Sequence, residues 1–358
     1  MSGSIYEKLQ QNLDRFPLGF PKTDSGVELE ILKRLYQTDE ATIALNLRSK
    51  PEAPGVIAAR MQKDERELDQ KLEAMAQKGL AFRIVRDGKV LYNSIPFMIG
   101  LYEYSVKRID KDLAKLFKQY YDEAYQTEMG LSNIPGFKVI PIQKHIKAGI
   151  ALYPYQKIET DIRAARVIAV TDCVCRKESQ LLGHGCDKPM ETCLSFGVAA
   201  EHYINSGLGR VIIADKAIDI VKKADEAGLV HAGANAKHLS NICNCCPCCC
   251  ASMKGMVQKG HDKQKYMNAI FEPVINEDLC TACEMCAERC PVDAIQVEET
   301  AVADIERCLG CGLCASGCPS EAISMVTKDK VKEPYESAHE LFLSILRGKQ
   351  EQQKNSEK

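Results

Sequence analysis

The chain has 358 residues, 45% of them hydrophobic, with no tryptophan, eighteen cysteines and a formal net charge of -2. That length holds more than one core, so two or three domains are expected, and a balance so near neutrality argues against a general nucleic-acid binder. No stretch reaches the ~18 consecutive apolar residues of a membrane span, and Met1 to Gln10 is polar and lacks the apolar centre of a secretory signal.

Residues 1–25 carry Pro17, Gly19 and Pro21 and read as an irregular lead-in. Residues 26–95 read as a winged helix. Val27, Ile31, Leu32 and Leu35 recur at helical spacing, and Thr38 with Asp39 and Glu40 opens a second helix. A short helix over 56–61 follows the breaker at 51–55. Asp64 with Glu67 then forms a capping box for a fourth helix, whose face is Leu68, Leu72 and Met75 and whose end is Gly79. Asp87-Gly88 joins two β-branched runs, the strongest short hairpin signal. The helix that would enter a DNA groove carries Asp64, Glu65, Glu67, Asp69 and Glu73 against Lys63, Arg66, Lys71 and Lys78. Phosphate neutralisation supplies most non-specific affinity, so DNA is disfavoured and protein docking preferred.

Residues 96–160 read as one long amphipathic helix from Gly100 to Tyr125, then an extended connector from Ile134 to Tyr155 punctuated by Pro135, Pro141 and Pro154. Val106, Ile109, Leu113, Leu116, Phe117 and Tyr120 form the apolar stripe of that helix.

Residues 161–268 read as a cysteine-rich α/β domain. A strand over 166–171 delivers Cys173 and Cys175, which in extended chain would present both thiolates to one side. Cys186 follows a glycine-rich turn. Cys193 is expected near the start of a helix over 190–204, so that Cys173, Cys175, Cys186 and Cys193 converge. A helix over 215–226 leads to a run containing Cys243, Cys245, Cys246, Cys248, Cys249 and Cys250. If that run is extended, Cys243, Cys245 and Cys249 share one side and Cys246, Cys248 and Cys250 the other. Ten cysteines therefore predict one or two further iron–sulfur clusters, with zinc or a redox-active thiol as rivals. Asn241, Asn244, Arg176 and Lys177 are candidates to offset sulfur charge, and His231 is the histidine most suited to a ligand role.

Residues 269–330 contain one cysteine pattern written twice. Cys280, Cys283, Cys286 and Cys290 before Pro291, and Cys308, Cys311, Cys314 and Cys318 before Pro319, each spell C-x2-C-x2-C-x3-C-P, the bacterial two-cluster ferredoxin run. Three thiolates of one loop grip one cube and the fourth reaches the other. This assigns Cys280, Cys283, Cys286 and Cys318 to one [4Fe-4S] cluster and Cys308, Cys311, Cys314 and Cys290 to a second. From Phe271 to Met325 eleven acids face two arginines, a surface that steers toward a basic partner. Residues 331–358 read as a helix over 335–346 and a polar, disordered tail.

The motifs Cys173-Val174-Cys175-Arg176-Lys177, Gly185-Cys186-Asp187 with Pro189, Glu191-Thr192-Cys193, Gly228-Leu229-Val230-His231 with Asn235, and the run Cys243 to Cys250 together resemble a family of iron–sulfur proteins from anaerobic bacteria and archaea. The resemblance covers nearly the whole chain. It implies a C-terminal 4Fe-4S dicluster ferredoxin domain and cytosolic electron transfer. The pattern does not match the cysteine-rich CCG repeats of heterodisulfide-reductase subunits.

The expected fold is thus α+β and multidomain: winged helix, cysteine-rich α/β domain, and a 2[4Fe-4S] ferredoxin-like domain. The expected function is that of a cytoplasmic electron-transfer protein, an oxidoreductase component relaying single electrons between a redox partner and a centre in the middle domain. The alternatives are a redox-sensing winged-helix regulator and a zinc-stabilised scaffold carrying a ferredoxin. Neither a G-x-G-x-x-G after a strand nor a Walker sequence occurs, so no nucleotide, flavin or NAD site is expected. Exposed clusters and free thiols further point to a reducing, anaerobic setting.

Overall fold

A computed structural model describes residues 3–141, 146 and 158–356. The architecture is mixed α/β. Helices Val27–Leu35, Thr38–Asn46, Pro54–Met61 and Glu65–Gln77 lead into an antiparallel hairpin, Phe82–Arg86 with Lys89–Asn93. Asp64 accepts from the backbone N–H of Glu67 at the start of the fourth of these helices, and Leu68, Leu72 and Met75 are buried beneath it. Asp87 and Gly88 both take positive φ in the hairpin turn, as a two-residue connection between right-twisted strands requires.

Two expectations for this half need correction. The lead-in is not irregular throughout, because Ile5–Leu13 is a helix with a capping box between Ser4 and Glu7, and Leu9 and Leu13 anchor it in the core. The long helix from Gly100 to Tyr125 is broken. Ser105–Lys107 is a 3-10 turn, and a new helix starts at Lys111, where the Asp110 side chain accepts from the Leu113 N–H. The stripe still does its work, since Val106, Ile109, Leu113, Phe117 and Tyr120 are all buried. Phe97 sits in an aromatic cluster with Phe117, Tyr120 and Tyr125, its ring centroid 4.8 Å from that of Tyr125. Of the connector, Phe137–Val139 is a strand, while residues 142–145 and 147–157 lie outside the described residues.

The centre of the molecule is a seven-stranded sheet in the order Arg210–Ile212, Ile168–Asp172, Glu191–Phe196, Asn241–Cys245, Val230–Ala234, Phe137–Val139, Met267–Asn268. All pairings are antiparallel except the last. Alternation along the strands divides the residues between two faces. Ile168, Val170, Leu194, Phe196 and Ile242 pack with Ile158 and Ile162 of helix Ile158–Ala164 and with Ala217, Ile218 and Val221 of helix Ala214–Glu226. Cys193, Cys243 and Cys245 occupy the alternate positions and face the other way, toward the helical N-terminal half.

The third part is a small lobe in which Phe271–Ile275 pairs with Ile323–Thr327 and Ile295–Val297 with Ala301–Ala303. Its Val292, Ala294, Leu309 and Leu313 belong to the same apolar cluster as Phe97, Val139, Tyr203 and Met253. One continuous core therefore joins the lobe to the rest. The chain closes with helix Ala338–Ser356, which overturns the expectation of a disordered tail after Gly348. The polar helix persists because Leu341 and Ile345 are buried and Lys349 reaches the buried carboxylate of Glu128 at 2.5 Å. No described helix is long and apolar enough to cross a membrane.

Candidate metal centres

The ten cysteines of the middle region divide six and four, and the division is not the expected one. Cys173, Cys175, Cys193, Cys243, Cys245 and Cys250 line a cavity of about 60 Å³, and Cys246 and Cys249 also contribute to its wall. Cys186 is not among its walls. Instead Cys186, Cys246, Cys248 and Cys249 form a second group whose sulfurs all lie within 4.8 Å of one another. The expected convergence of Cys173, Cys175, Cys186 and Cys193 is therefore corrected at Cys186.

Local structure explains the new grouping. Cys175 does not continue an extended strand, because helix Val174–Leu181 begins directly after Cys173. The helical turn nevertheless brings the two thiols into a hydrogen bond, which together with Arg176 holds Cys173 below the usual thiol range. Cys193 lies within strand Glu191–Phe196 and not at a helix start. The run from Cys243 is extended only as far as Cys245. A turn over 247–249 follows, and Cys250 caps helix Ala251–Gln258. This turn breaks the alternation by parity: Cys250 swings back to Cys175 and Cys245, while Cys246, Cys248 and Cys249 gather with Cys186, with Cys246 and Cys249 still on the cavity wall.

Arg176 stands between the two groups with a fully buried side chain. It donates from Nη1 to the carbonyl oxygen of Asn244 at 2.8 Å, lies 4.0 Å from Cys246 Sγ, and donates from Nη2 to the hydroxyl of Thr192. Burial alone would make the guanidinium easier to deprotonate, but the thiolates of Cys173, Cys246 and Cys245 hold it firmly cationic. Hydrogen bonding from Cys249 and Cys248, together with Arg176, draws Cys246 down to about 5. Asn241 donates to Cys243 Sγ at 3.5 Å, and Asn244 holds the strand edge by donating to the Thr192 carbonyl at 2.6 Å. His231 joins neither thiol group. It is buried, with Nδ1 2.6 Å from Asn244 Oδ1 and Nε2 4.0 Å from Asp225. His184 and His238 are exposed.

Sequence reasoning missed the remaining walls of the six-cysteine cavity. Met98, Ile99, Glu103, Phe137 and Met267 come from three distant segments and carry no shared spacing that would announce them. Glu103 is the notable one. Burial pushes its carboxyl up to about 8, against the opposing pull of the Gly100 N–H, so a neutral acid sits beside the thiols.

In the C-terminal lobe, Cys280, Cys283, Cys286 and Cys318 line one small cavity with Ala301 and Ile323. Cys308, Cys311, Cys314 and Cys290 influence one another electrostatically and are gathered on the inner side of the lobe. Ala282 and Gly310 take positive φ in their respective loops, and a Cβ on Gly310 would collide with the Phe271 carbonyl, so the tight loop requires glycine there. Backbone N–H groups reach three of the sulfurs: Ala294 to Cys290 at 3.1 Å, Gly310 to Cys308 at 3.3 Å and Ala301 to Cys280 at 3.4 Å. Such donors stabilise charge on cluster-bound sulfur. The 4Fe-4S binding domain family matches residues 273–296 and again 301–324. No curated protein matches the chain. The two repeats and the middle cysteine group together mark an iron–sulfur electron-transfer protein.

Proposed function

We propose that single electrons enter at an outer [4Fe-4S] cluster held by Cys280, Cys283, Cys286 and Cys318, pass to an inner one held by Cys308, Cys311, Cys314 and Cys290, and continue to an iron–sulfur centre in the six-cysteine cavity. The observation that carries this direction is the gradient of burial. Cys283 is exposed, whereas its counterpart in the second repeat, Cys311, is half-buried and burial raises it far above the usual thiol range. The inner loop also abuts the cavity wall. Lys263 donates to the Cys308 carbonyl at 2.7 Å, and Met267, four residues on and so about one helical turn away, lines the cavity. Thiolate-bound clusters supply reversible one-electron chemistry without a nucleotide. The chain's own residues supply the rest: Arg176 offsets sulfur charge, Asn241 donates to Cys243, and Met98, Ile99 and Phe137 exclude water from the cavity.

The cavity fits such a centre. Six cysteines outside the Cys186 group, with Cys246, Cys249 and a buried guanidinium also on the wall, form a donor set for which iron–sulfur chemistry is the natural occupant. The acidic residues of the lobe favour a basic redox partner at the exposed loop around Cys283, where Leu279 and Met285 also face solvent. We read residues 26–95 as a winged helix used for docking within the molecule. The backbone N–H of Arg83 donates to His202 of helix Gly197–Asn205, and Phe82 stacks on that ring at 4.3 Å, so the hairpin is committed to the middle domain.

The test is a freeze-quench series on the anaerobically prepared protein with a chemical reductant, followed by electron paramagnetic resonance. Cys311→Ala should leave a reducible outer cluster while slowing reduction of the middle centre at least tenfold. Equal rates of middle-centre reduction in wild type and variant would exclude the relay.

A further inference from the structure

The four sulfurs of Cys186, Cys246, Cys248 and Cys249 are spaced for one ion, not for a cube. Cys186 Sγ lies 3.9 Å from Cys246 Sγ and 3.7 Å from Cys249 Sγ, and Cys249 Sγ is 3.8 Å from Cys248 Sγ. A tetrahedral ion with metal–sulfur bonds of about 2.3 Å sets its ligand sulfurs about 3.8 Å apart. Cysteines of a cube bind irons at different corners, and their sulfurs stand further apart. The chain holds its own comparison. Among the described residues, this is the group of three or more ligand atoms drawn within 4.8 Å of one another, whereas the C-terminal cysteines and the six others of the cavity form no such set, closing at most in pairs such as Cys173 with Cys175.

The surroundings fit a closed site. All four positions of the tetrahedron are cysteines, leaving none for a water or substrate, the arrangement of structural rather than catalytic ions. Cys246 and Cys249 stand in C-x2-C spacing on one turn, with the Cys250 N–H donating to the Cys246 carbonyl at 3.0 Å. Cys246 and Cys249 are buried against Ala224 and Leu229, at the end of helix Ala214–Glu226. Arg176, 4.0 Å from Cys246, offsets the negative charge that four thiolates would leave on a divalent ion. The loop carrying Cys186 is held independently, since Lys188 donates to the Ala227 carbonyl.

We infer that Cys186, Cys246, Cys248 and Cys249 bind a single divalent ion, zinc or iron, in a tetrathiolate site separate from every cluster. It ties the loop after helix Val174–Leu181 to the turn after strand Asn241–Cys245, and those two segments also supply cavity cysteines on either side. The ion is thus a clamp on the cavity, and this goes beyond the electron path proposed above.

The experiment is metal and acid-labile sulfide analysis of the full chain purified without oxygen, with X-ray absorption at the zinc edge and Mössbauer spectra of iron-57-labelled protein. One ion per chain without matching sulfide is expected, with four sulfur neighbours at about 2.3 Å and no metal neighbour. A zinc-edge signal or a mononuclear iron component tells which ion it is. Cys248→Ser should remove that ion and leave sulfide unchanged, whereas Cys245→Ser should lower iron and sulfide together. Equal loss of iron and sulfide in Cys248→Ser, or wild-type protein holding no metal outside sulfide-bridged clusters, would overturn the inference while leaving the electron path to be judged by its own kinetics.

Discussion

Arg289 of the C-terminal lobe donates from Nη2 to the backbone carbonyl of Asp225, 2.8 Å away at the end of helix Ala214–Glu226. From Nη1 the same guanidinium donates to the Glu226 carbonyl at 3.2 Å, and from Nε to the Leu313 carbonyl within its own lobe at 3.0 Å. One side chain thus spans the seam beside Cys290. Cations are favoured at a helix C-terminus, where carbonyls lack intrahelical partners.

Arg289→Ala should therefore lower stability by about 2 kcal/mol, the scale of charged hydrogen bonds lost from a half-buried site. It should also slow reduction of the middle centre. Urea unfolding and stopped-flow absorbance measure the two effects, and an unchanged rate with lowered stability would limit Arg289 to a structural part.

Cys283→Ala and Cys311→Ala should each remove about one cube's worth of iron and much of the ~400 nm absorbance, because thiolates hold the clusters. Full iron retention in both variants would reject the ligand assignment.

His202 offers a pH test remote from the thiols. Burial lowers it from an ordinary 6.5 to about 3, and its Nδ1 accepts from the Arg83 N–H. Above pH 6.5 both folded and unfolded states hold it neutral. Below that value only the unfolded state takes the proton, so stability falls as pH drops from 6.5 toward 3, approaching ~1.4 kcal/mol per unit. Urea midpoints between pH 7.5 and 5.5 should decline in wild type and decline less in His202→Gln. Identical slopes would show that other groups control the response.

The Lys349–Glu128 pair should matter despite lying near the chain end. Glu128 is buried and also accepts from the Gly19 N–H at 2.6 Å, so Lys349→Ala leaves a carboxylate with one partner fewer. A loss of about 2 kcal/mol is expected in urea unfolding. A change below a few tenths would mean that water replaces the ammonium at no cost.

Duplex DNA should not bind below micromolar concentration at moderate salt. Lys71 of helix Glu65–Gln77 and Lys78 just beyond its end are paired with Asp39 and Glu40, leaving little free positive charge on that face. An electrophoretic shift in the submicromolar range would favour the regulator instead.

What was legible in the sequence was what spacing encodes. The doubled C-x2-C-x2-C-x3-C-P run, the Asp87-Gly88 turn and the stripe from Val106 to Tyr120 are local patterns, and each has its counterpart in the structure. The grouping of the middle cysteines was not legible, because a turn over 247–249 reverses the chain and no residue but Pro247 announces it. Parity arguments fail at the first turn they do not foresee. Nor could spacing show that Glu103 and Met267 enclose the same space as Cys173, since that depends on the sheet bringing remote segments together. The last helix was expected, but its continuation to Ser356 was missed for a related reason: that stretch is polar, and the contacts of Ile345 and Lys349 hold it.

The C-terminal lobe is fastened to the sheet at both of its ends and at nearly the same spot. On entry, Asn268 donates from its side chain to Asn235 Oδ1 at 3.0 Å. On exit, the Tyr335 N–H donates to the Asn235 carbonyl at 3.0 Å and the Lys237 N–H to the Tyr335 carbonyl at 2.7 Å. A domain hung on one linker visits its neighbour by diffusion, at a frequency set by tether length and solvent viscosity. A lobe inserted as a loop, with entrance and exit pinned to one asparagine, has no such excursion to make. Any traffic between lobe and sheet occurs at one fixed separation, so its rate should be indifferent to glycerol and to protein concentration, whereas exchange with an outside partner at Cys283 should respond to both.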